Sequence, residues 1–472
     1  MNESLTRGPR DEGSRTWLVG ERLSLDAVAW QRISPFQTPV MLHANNPHER
    51  LYVAALDGTG DDFIHDPGHA TNVGLIYDQL TGVGDDRIRA GYVEGPGTQR
   101  DLPTRWIDDI SGFTTVQRAE RMYQLFIDQA REWLRDDPHA QVSIASIGFS
   151  RGAEEVALLA RIIEERGIQD PAGAHYTYDT HHQLTHVEYT RPALVAPHEV
   201  AQAVALFDPV GTGRLMHEDR RPPPSVISGI QLNAMDERRR VFRSDHIIDP
   251  GISPDGRFAG LDLPGAHCDV GGGCLVNGLS NRAGNFGIAY LNTLSDRRYV
   301  QPLPEFDDPQ RNVIHRSEDG LFLYGADYKV DRATPDGYNE MLVDQRVAIQ
   351  VPDADNAEPR NEALSARFER QSIAHARQNP TLEAPSPVAG PPSELDQLIE
   401  RLYRAAMHEE PKAMDAVADD YLRTSQGQAW QQQVLRAAPV LQVPDLVAPS
   451  TQHVYPLPHG ALQMDAHAVA VM

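Results

Sequence analysis

The sequence predicts an α/β fold, in which a mostly parallel sheet carries helices on both faces. Two observations lead to this prediction. Short apolar runs alternate along the chain with longer amphipathic patterns, an order typical of parallel strands joined by crossover helices. Each apolar run also stops at a polar loop that usually contains glycine. Such loops meet at the carboxyl edge of a parallel sheet, where ligands bind.

Four strands and two helices are predicted from these patterns. The strands are short apolar runs bounded by turn residues, and they cover 50–56, 141–147, 203–207 and 260–263. The helices repeat apolar residues at three- and four-residue steps, and they cover 116–135, with Thr115 as its cap, and 151–166, closed by Gly167.

Composition divides the chain into four parts. An irregular leader, rich in charge and proline, is expected at 1–45, and the catalytic α/β domain at 46–378. A proline-rich linker is expected at 379–393. The C-terminal region that follows, 394–472, is expected to be helical at first and then extended, and its helical part forms a C-terminal appendage to the catalytic domain. Two intervals of the catalytic domain are long enough to be lids or insertions, 168–200 and 214–232.

The charge balance excludes one class of partner. The chain has 472 residues, and its 43 basic and 67 acidic side chains give a net charge of −24. Such a surface repels the phosphate backbone, so no nucleic-acid partner is expected. Transient contact with a membrane surface is still compatible with this charge, because it needs only one local apolar patch.

The cysteines and the N-terminus indicate where the chain is made. Cys268 and Cys274 are the two cysteines, and they do not amount to a disulfide framework. The N-terminus lacks the apolar region of a secretory signal, and no segment reaches the ~18 apolar residues of a membrane span. We therefore expect synthesis in the cytoplasm, with any export by a route other than the general secretory pathway.

A strand, the sequence Gly-Phe-Ser-Arg-Gly at 148–152 and a helix follow one another directly. This order predicts a nucleophile elbow, in which glycines permit a sharp turn that exposes the Ser150 hydroxyl. The alternative is an ordinary turn in which Ser150 caps the helix. The elbow makes the predicted fold α/β-hydrolase-like.

A nucleophilic serine needs a histidine base and a carboxylate, in the chain order serine, acid, histidine. His267 follows an apolar run and precedes a glycine-rich loop, so we predict it as the base. Asp208 directly follows a strand and is the predicted acid. Asp269 either is the alternative acid or braces the loop of His267, and Asp262 is less well placed. Asp208 could instead cap the following turn, and His267 could satisfy only a local hydrogen bond.

The oxyanion hole is expected to use backbone amides. One amide would come from Arg151 and another from the loop of Gly58 and Thr59, where small residues let donors approach the developing charge. Asp57 either acts as an alternative acid or braces this loop. No metal or cofactor is expected.

Seven motifs in a fixed order resemble an α/β-hydrolase domain family that includes the first class of type VI secretion lipase effectors, which are phospholipases A. The motifs cover 56–59, 71–73, 95–98, 148–153, 208–211, 235–240 and 265–273. The resemblance implies Ser150 as nucleophile, His267 as base and Asp208 as acid. It also implies a phospholipid substrate, contact-dependent export to a target cell, an immunity protein and a component of the secretion machinery as partners.

Three functions remain open from the sequence. The first is an antibacterial secreted phospholipase A, and the second is a housekeeping carboxylesterase for a small soluble ester. The third is a non-enzymatic protein that binds a divalent cation through the aspartates of its loops, since carboxylate oxygens suit such ions. These loop aspartates are Asp57, Asp61, Asp62 and Asp269.

Overall fold

The structure of the protein is a computed structural model. It describes residues 14–17, 20–59, 61–64, 66–95, 115–178, 184–212, 215, 218–319, 328–340, 348–349, 357–376, 379, 381, 416, 420 and 423. Residue contacts divide the chain into two units, Met1–Pro385 and Ser386–Met472. Nearly all of the predicted linker and of 394–472 therefore lies outside the described residues, and the predicted appendage stays a prediction.

The strands form one large sheet and several small ones. In chain order they are β1 (Ser14–Trp17), β2 (Gln37–Pro39), β3 (Glu49–Leu56), β4 (Ile88–Val93), β5 (Gln141–Phe149), β6 (Ala174–Tyr178), β7 (Leu184–Tyr189), β8 (Gln202–Phe207), β9 (Val226–Ala234), β10 (Ser244–His246), β11 (Gly251–Ile252), β12 (Phe258–Leu263), β13 (Val313–Arg316), β14 (Tyr338–Glu340), β15 (Ala348–Ile349) and β16 (Arg370–Ser372). The large sheet has the order β11-β12-β9-β8-β5-β3-β4. All its neighbours run parallel except the edge pair β11 and β12.

The α-helices among the described residues connect and cover these strands. They are α1 (Gly20–Ile33), α2 (Asn72–Thr81), α3 (Thr115–Asp136), α4 (Arg151–Arg166), α5 (His267–Gly271), α6 (Gly278–Thr293), α7 (Glu362–Ser365) and α8 (Ile373–Ala376). Within this part of the chain, none is both long enough and apolar enough to cross a bilayer.

Both faces of the sheet are buried. Successive side chains of a strand point to opposite faces, and in β3 the side chains of Val53 and Ala55 join one apolar core while those of Tyr52 and Ala54 join another. Helices α1, α2 and α6 contribute to the first core, and α3 and α4 to the second. The predicted α/β-hydrolase-like fold, a mostly parallel sheet with helices on both faces, is confirmed.

Strand β9 corrects the interpretation of 214–232 as a lid or insertion. Residues 226–232 lie in the centre of the sheet and are buried. Polar residues interrupt its apolar run, so the sequence pattern did not predict this strand. They are satisfied inside the protein, since the Gln231 amide donates to the Asn233 side chain at 2.8 Å and to the Asp245 carbonyl at 3.0 Å.

The expectation of an irregular leader is wrong for residues 14–17 and 20–33, which form β1 and α1. Ala29 and Ile33 are buried one helical turn apart, and the ring of Trp30 stacks on Phe286 at 4.0 Å. This narrow apolar face lies among charged residues, so packing against the sheet, rather than a strong periodic pattern, stabilises the helix.

A buried ion network connects α4 with the loops beside it. The Arg220 side chain is fully buried and forms ion pairs with Glu154 of α4 and Asp245 of β10. Asp245 also accepts a hydrogen bond from the Gly211 amide at 3.1 Å, in the loop after β8. Burial raises the pKa of Glu154 well above its usual value, although Arg220 opposes the shift. The network therefore ties three segments around the end of β8.

Replacement of Arg220 by alanine is expected to lower the free energy of unfolding by about 3 to 5 kcal/mol, because it leaves the buried acidic groups of Glu154 and Asp245 without their cation. Chemical denaturation measures the change. As a control, Arg135→Ala removes an exposed ion pair with Asp136 and is expected to leave the unfolding midpoint unchanged. Equal midpoints for the two variants would contradict the prediction.

Candidate active site

The turn between β5 and α4 places Ser150 at the carboxyl edge of the sheet. Ser150 has φ 56° and ψ −125°, a backbone conformation that residues other than glycine rarely adopt. Its side chain makes no capping hydrogen bond to the helix. The turn therefore has the strained geometry of a nucleophile elbow, and the alternative of a helix cap is not what the structure shows.

The two glycines of the elbow are required by close backbone packing. A Cβ atom on Gly148 would lie 2.4 Å from the Gly152 carbonyl oxygen, and one on Gly152 would lie 2.2 Å from the Leu56 carbonyl oxygen. Real Cβ atoms do not approach backbone this closely. Strand β3 thus holds the elbow from one side, and the surrounding backbone maintains the strain at Ser150.

Asp208 and His267 lie in contact although 59 residues separate them. Nδ1 of His267 is 2.6 Å from Oδ2 of Asp208, and Oδ1 of Asp208 accepts a hydrogen bond from the Ala234 amide at 2.9 Å. Arg332 donates to both Asp208 oxygens, at 2.8 and 3.1 Å. The Asp208 carboxylate therefore orients the imidazole, and His267 does more than satisfy a local partner.

Aromatic rings hold His267 beside the elbow. The centroid of the imidazole lies 4.5 Å from that of Phe149, the residue before Ser150, and 5.0 Å from that of Phe242. The His267 amide donates to the Glu237 carboxylate at 3.3 Å. The predicted nucleophile, acid and base thus come from three loops at one edge of the sheet.

The electrostatics favour a neutral histidine next to an ionised aspartate. Burial lowers the pKa of His267 below its usual value, and the bond to Asp208 only partly offsets this. Burial alone would raise the pKa of Asp208, but Arg332 and His267 outweigh it and hold that pKa well below its usual range. A neutral imidazole can accept a proton, which is what a general base must do.

Asp57 braces the loop after β3. Its Oδ1 accepts from the Gly58 amide at 2.8 Å and from the Thr71 hydroxyl at 2.7 Å. Its Oδ2 accepts from the Tyr92 hydroxyl at 2.7 Å. Asp57 is therefore a structural anchor in this geometry, and the Gly58 amide is already engaged. Thr59 is the remaining member of the predicted oxyanion pair in this loop.

The predicted oxyanion donors flank the elbow. Arg151 is the first residue of α4, where backbone amides have no acceptor within the helix. The Thr59 hydroxyl is buried and has no hydrogen-bond partner among the described residues. A Cβ atom on Gly58 would lie 2.6 Å from the Phe149 ring, so the loop packs directly on the residue before Ser150.

Asp269 also acts as a brace. Its Oδ1 lies 2.6 Å from Nδ1 of His315, and its Oδ2 accepts from the amides of His315 at 2.9 Å and Ala266 at 2.8 Å. These contacts connect the start of α5 with β13. The two cysteines, not expected to form a disulfide framework, are joined in one disulfide, Cys268–Cys274, which closes the loop after His267.

Two groups of side chains among the described residues are close enough to share a metal ion. One group is Cys268, Cys274 and His315, and the other is His246, Asp249 and Glu340. In the first group the two sulfurs are bonded to each other. The second lies between β10 and β14, and neither group includes Ser150, Asp208 or His267.

Two charged residues of the candidate site were not predicted from the sequence. Arg332 contacts both Asp208 oxygens but belongs to a polar stretch, 328–340, with no recognisable motif. Glu237 is buried under His267, and Arg239 outweighs the effect of burial to lower the pKa of Glu237 to about 2. Glu237 falls within one of the quoted motifs, 235–240, which was the available signal; Arg332 had none.

Three solved structures resemble the chain at low similarity. An uncharacterized protein from Pseudomonas aeruginosa is 17% identical, with 91% of this chain and 63% of that chain covered and a TM-score of 0.34. Esterase 2 of Thermogutta terrifontis, in its apo form, is 12% identical over 63% and 98% of the two chains, with a TM-score of 0.29. RedJ with a PEG molecule bound in its active site is 18% identical over 50% and 91%, with a TM-score of 0.23.

The chain thus spans 63% of the length of the Pseudomonas aeruginosa protein. These scores are too low to define the fold, which rests on the sheet itself. No curated protein matches the chain in sequence.

A family model matches residues 50–202, and its description is "T6SS, Phospholipase effector Tle1-like, catalytic domain". The matched segment contains β3, the Gly58 loop and the Ser150 elbow, and it ends at the first residue of β8. Asp208 and His267 lie beyond it. Over residues 50–202, the predicted resemblance is confirmed: this segment carries the signature of the catalytic domain of type VI secretion phospholipase effectors.

Proposed function

We propose that the protein is a serine-dependent lipolytic hydrolase that cleaves acyl esters through Ser150, His267 and Asp208. The observation that carries this proposal is the 2.6 Å contact between His267 and Asp208, placed beside the strained Ser150 elbow. A strained serine, an ionised carboxylate and a buried imidazole, in that order along the chain, are the components of acyl transfer.

The proposed reaction assigns one role to each of these residues. The Ser150 oxygen attacks the ester carbonyl while His267 takes the hydroxyl proton, and the oxyanion receives hydrogen bonds from Arg151 and the Thr59 loop. The ester carbon–oxygen bond then breaks, and His267 returns the proton to the leaving alcohol. Water repeats the sequence on the acyl-enzyme and releases the fatty acid, while Asp208 holds the imidazole.

The substrate we propose is the acyl ester of a glycerophospholipid, which makes the protein a phospholipase A. The description of the family that matches residues 50–202 supports a lipid substrate and a role as a type VI secretion effector. We further propose that it is antibacterial, is delivered by cell contact, touches the target membrane transiently, and has an immunity protein and a component of the secretion machinery as partners.

Two other functions compete with this proposal. A carboxylesterase for small soluble esters would use the same three residues, so substrate preference decides between them. A cation-binding protein has less support, because the oxygens of Asp57 and Asp269 already accept hydrogen bonds from the protein. It would also leave the strained elbow without a role.

The nucleophile is tested with Ser150→Ala. We expect kcat to fall by about a million-fold, because a triad without its nucleophile loses nearly all of its rate enhancement. Hydrolysis of a p-nitrophenyl ester gives kcat, and labelling with a fluorophosphonate probe reports the activated serine independently.

Ser146→Ala is the matched control, since Ser146 is also a buried serine and lies in β5, the strand that precedes Ser150. It is expected to retain hydrolysis and labelling. A Ser150→Ala protein that still hydrolyses the ester would refute the serine mechanism. A wild-type protein that binds Ca²⁺ or Mg²⁺ but neither hydrolyses the ester nor reacts with the probe would support the cation-binding alternative.

Substrate class is tested with the wild-type protein. We expect vesicles of phosphatidylethanolamine and phosphatidylglycerol to be cleaved to lysophospholipid and fatty acid, with a higher kcat/KM than p-nitrophenyl butyrate. Mass spectrometry of the lipid products measures the first reaction, and absorbance measures the second.

The Ser150→Ala protein on the same vesicles excludes a contaminating lipase. Higher kcat/KM on the soluble ester than on the vesicles would favour the carboxylesterase. Release of a phosphorylated headgroup instead of a fatty acid would contradict cleavage at the acyl ester.

A further inference from the structure

Arg332 makes a bidentate contact with the Asp208 carboxylate, which orients His267. Its Nη1 donates to Oδ1 of Asp208 at 2.8 Å and its Nη2 to Oδ2 at 3.1 Å. The same Nη2 donates to the Phe242 carbonyl, and the side chain is only 4% exposed. Arginine suits such a site because its planar fork matches both oxygens of a carboxylate.

The segment that carries Arg332 is held against the loops around His267. The Val330 amide donates to the Arg238 carbonyl at 3.0 Å, and Arg243 donates to Asp336 through an ion pair at 2.9 Å. Strand β14 also pairs with β10. These contacts, which lie outside the large sheet, fix the position of Arg332. In the chain, Arg332 is 124 residues from Asp208.

The Arg332 guanidinium affects the protonation of His267 through Asp208. An anionic carboxylate beside an imidazole stabilises the protonated imidazole, and a cation that shares this carboxylate weakens the effect. Arg332 therefore performs two tasks at once. It keeps the buried Asp208 carboxyl ionised, and it limits how far the charge of Asp208 raises the pKa of His267.

We propose that Arg332 is a positioning residue of the catalytic site, which fixes the Asp208 carboxylate and sets the pH below which His267 stops acting as a base. This inference rests on the proposed function, because the base matters only if Ser150 is the nucleophile. Arg332 touches neither the ester nor the reacting atoms, and it acts through Asp208.

The charged groups around His267 come from three segments. Asp208 follows β8, Glu237 and Arg239 lie in the loop after β9, and Arg332 lies in 328–340. Glu237 favours the protonated imidazole and Arg239 opposes it. Glu237 and Arg239 form a bidentate pair with each other, at 2.9 and 2.8 Å, so their opposite effects partly cancel. Arg332 is the cation that bonds directly to the carboxylate of Asp208.

Arg332→Gln removes the charge and keeps hydrogen-bond donors, while Arg332→Lys keeps the charge and removes the fork. Arg243→Gln is the matched control, because it removes an ion pair between the segment 328–340 and the loop after β9 without touching Asp208. Each variant is assayed for kcat and KM with p-nitrophenyl butyrate over pH 4 to 9. The pKa of the His267 ring is followed in parallel by NMR of ¹³C-labelled histidine, assigned with His267→Asn.

In Arg332→Gln, the pKa of His267 is expected to rise, since the unshared Asp208 charge favours the imidazolium. A base that is protonated at higher pH moves the acid limb of kcat/KM to higher pH, by about one unit, and kcat falls with little change in KM. In Arg332→Lys, kcat falls but the acid limb stays near its wild-type position. In Arg243→Gln, neither the limb nor the ring pKa moves.

An unmoved ring pKa in Arg332→Gln, or an equal shift in Arg243→Gln, would overturn the inference. If Arg332→Gln does not fold, wild-type kcat in Arg332→Lys overturns it. The NMR measurement does not depend on hydrolysis. Failure of wild-type protein to react with a fluorophosphonate would refute the proposed function, whereas failure of the ring pKa to move would refute only the role of Arg332.

Discussion

The Asp208 carboxylate joins parts of the protein that are far apart in the chain. It has no exposure to solvent and receives hydrogen bonds from the Ala234 amide and from Arg332, in addition to its contact with His267. Such a buried charge is stable only when its partners are all in place. The loop after β8, the end of β9, the start of α5 and the segment 328–340 are therefore positioned together.

The strained elbow depends on a second constraint, which is close backbone packing. Ser150 keeps its positive φ because Gly152 packs against β3 and because the Ser150 amide donates to the Phe207 carbonyl at 2.9 Å. Arg220 then ties Glu154, one turn into α4, to the loop after β8. Packing thus fixes Ser150, and charge pairing fixes Asp208 and His267.

The sequence predicted those parts of the fold whose residues repeat a simple pattern. Strands β3, β5 and β8 are continuous apolar runs because both faces of the sheet are covered, and α4 begins directly after Ser150. Strand β9 was missed because Gln231 and Asn233 are polar yet buried, and they pair only in the folded state. Helix α1 was missed because its apolar face is narrow.

The same reasoning explains which parts of the site were predictable. Ser150, Asp208 and His267 follow strands in a fixed order, and this local context was enough to propose them from the sequence. Arg332 is defined by a partner 124 residues away, so no local pattern identifies it. Asp57 and Asp269 were left between two roles, which only their hydrogen-bond partners distinguish.

The order of these segments has a consequence for protein synthesis. A ribosome delivers the Ser150 elbow first, then Asp208, then His267, and Arg332 last. While residue 332 is still inside the ribosome, the buried Asp208 carboxylate lacks its cation, and the complete set of contacts around it cannot form. Until that point a growing chain holds Ser150 without the finished surroundings of Asp208 and His267, so this cluster of contacts is completed late in translation.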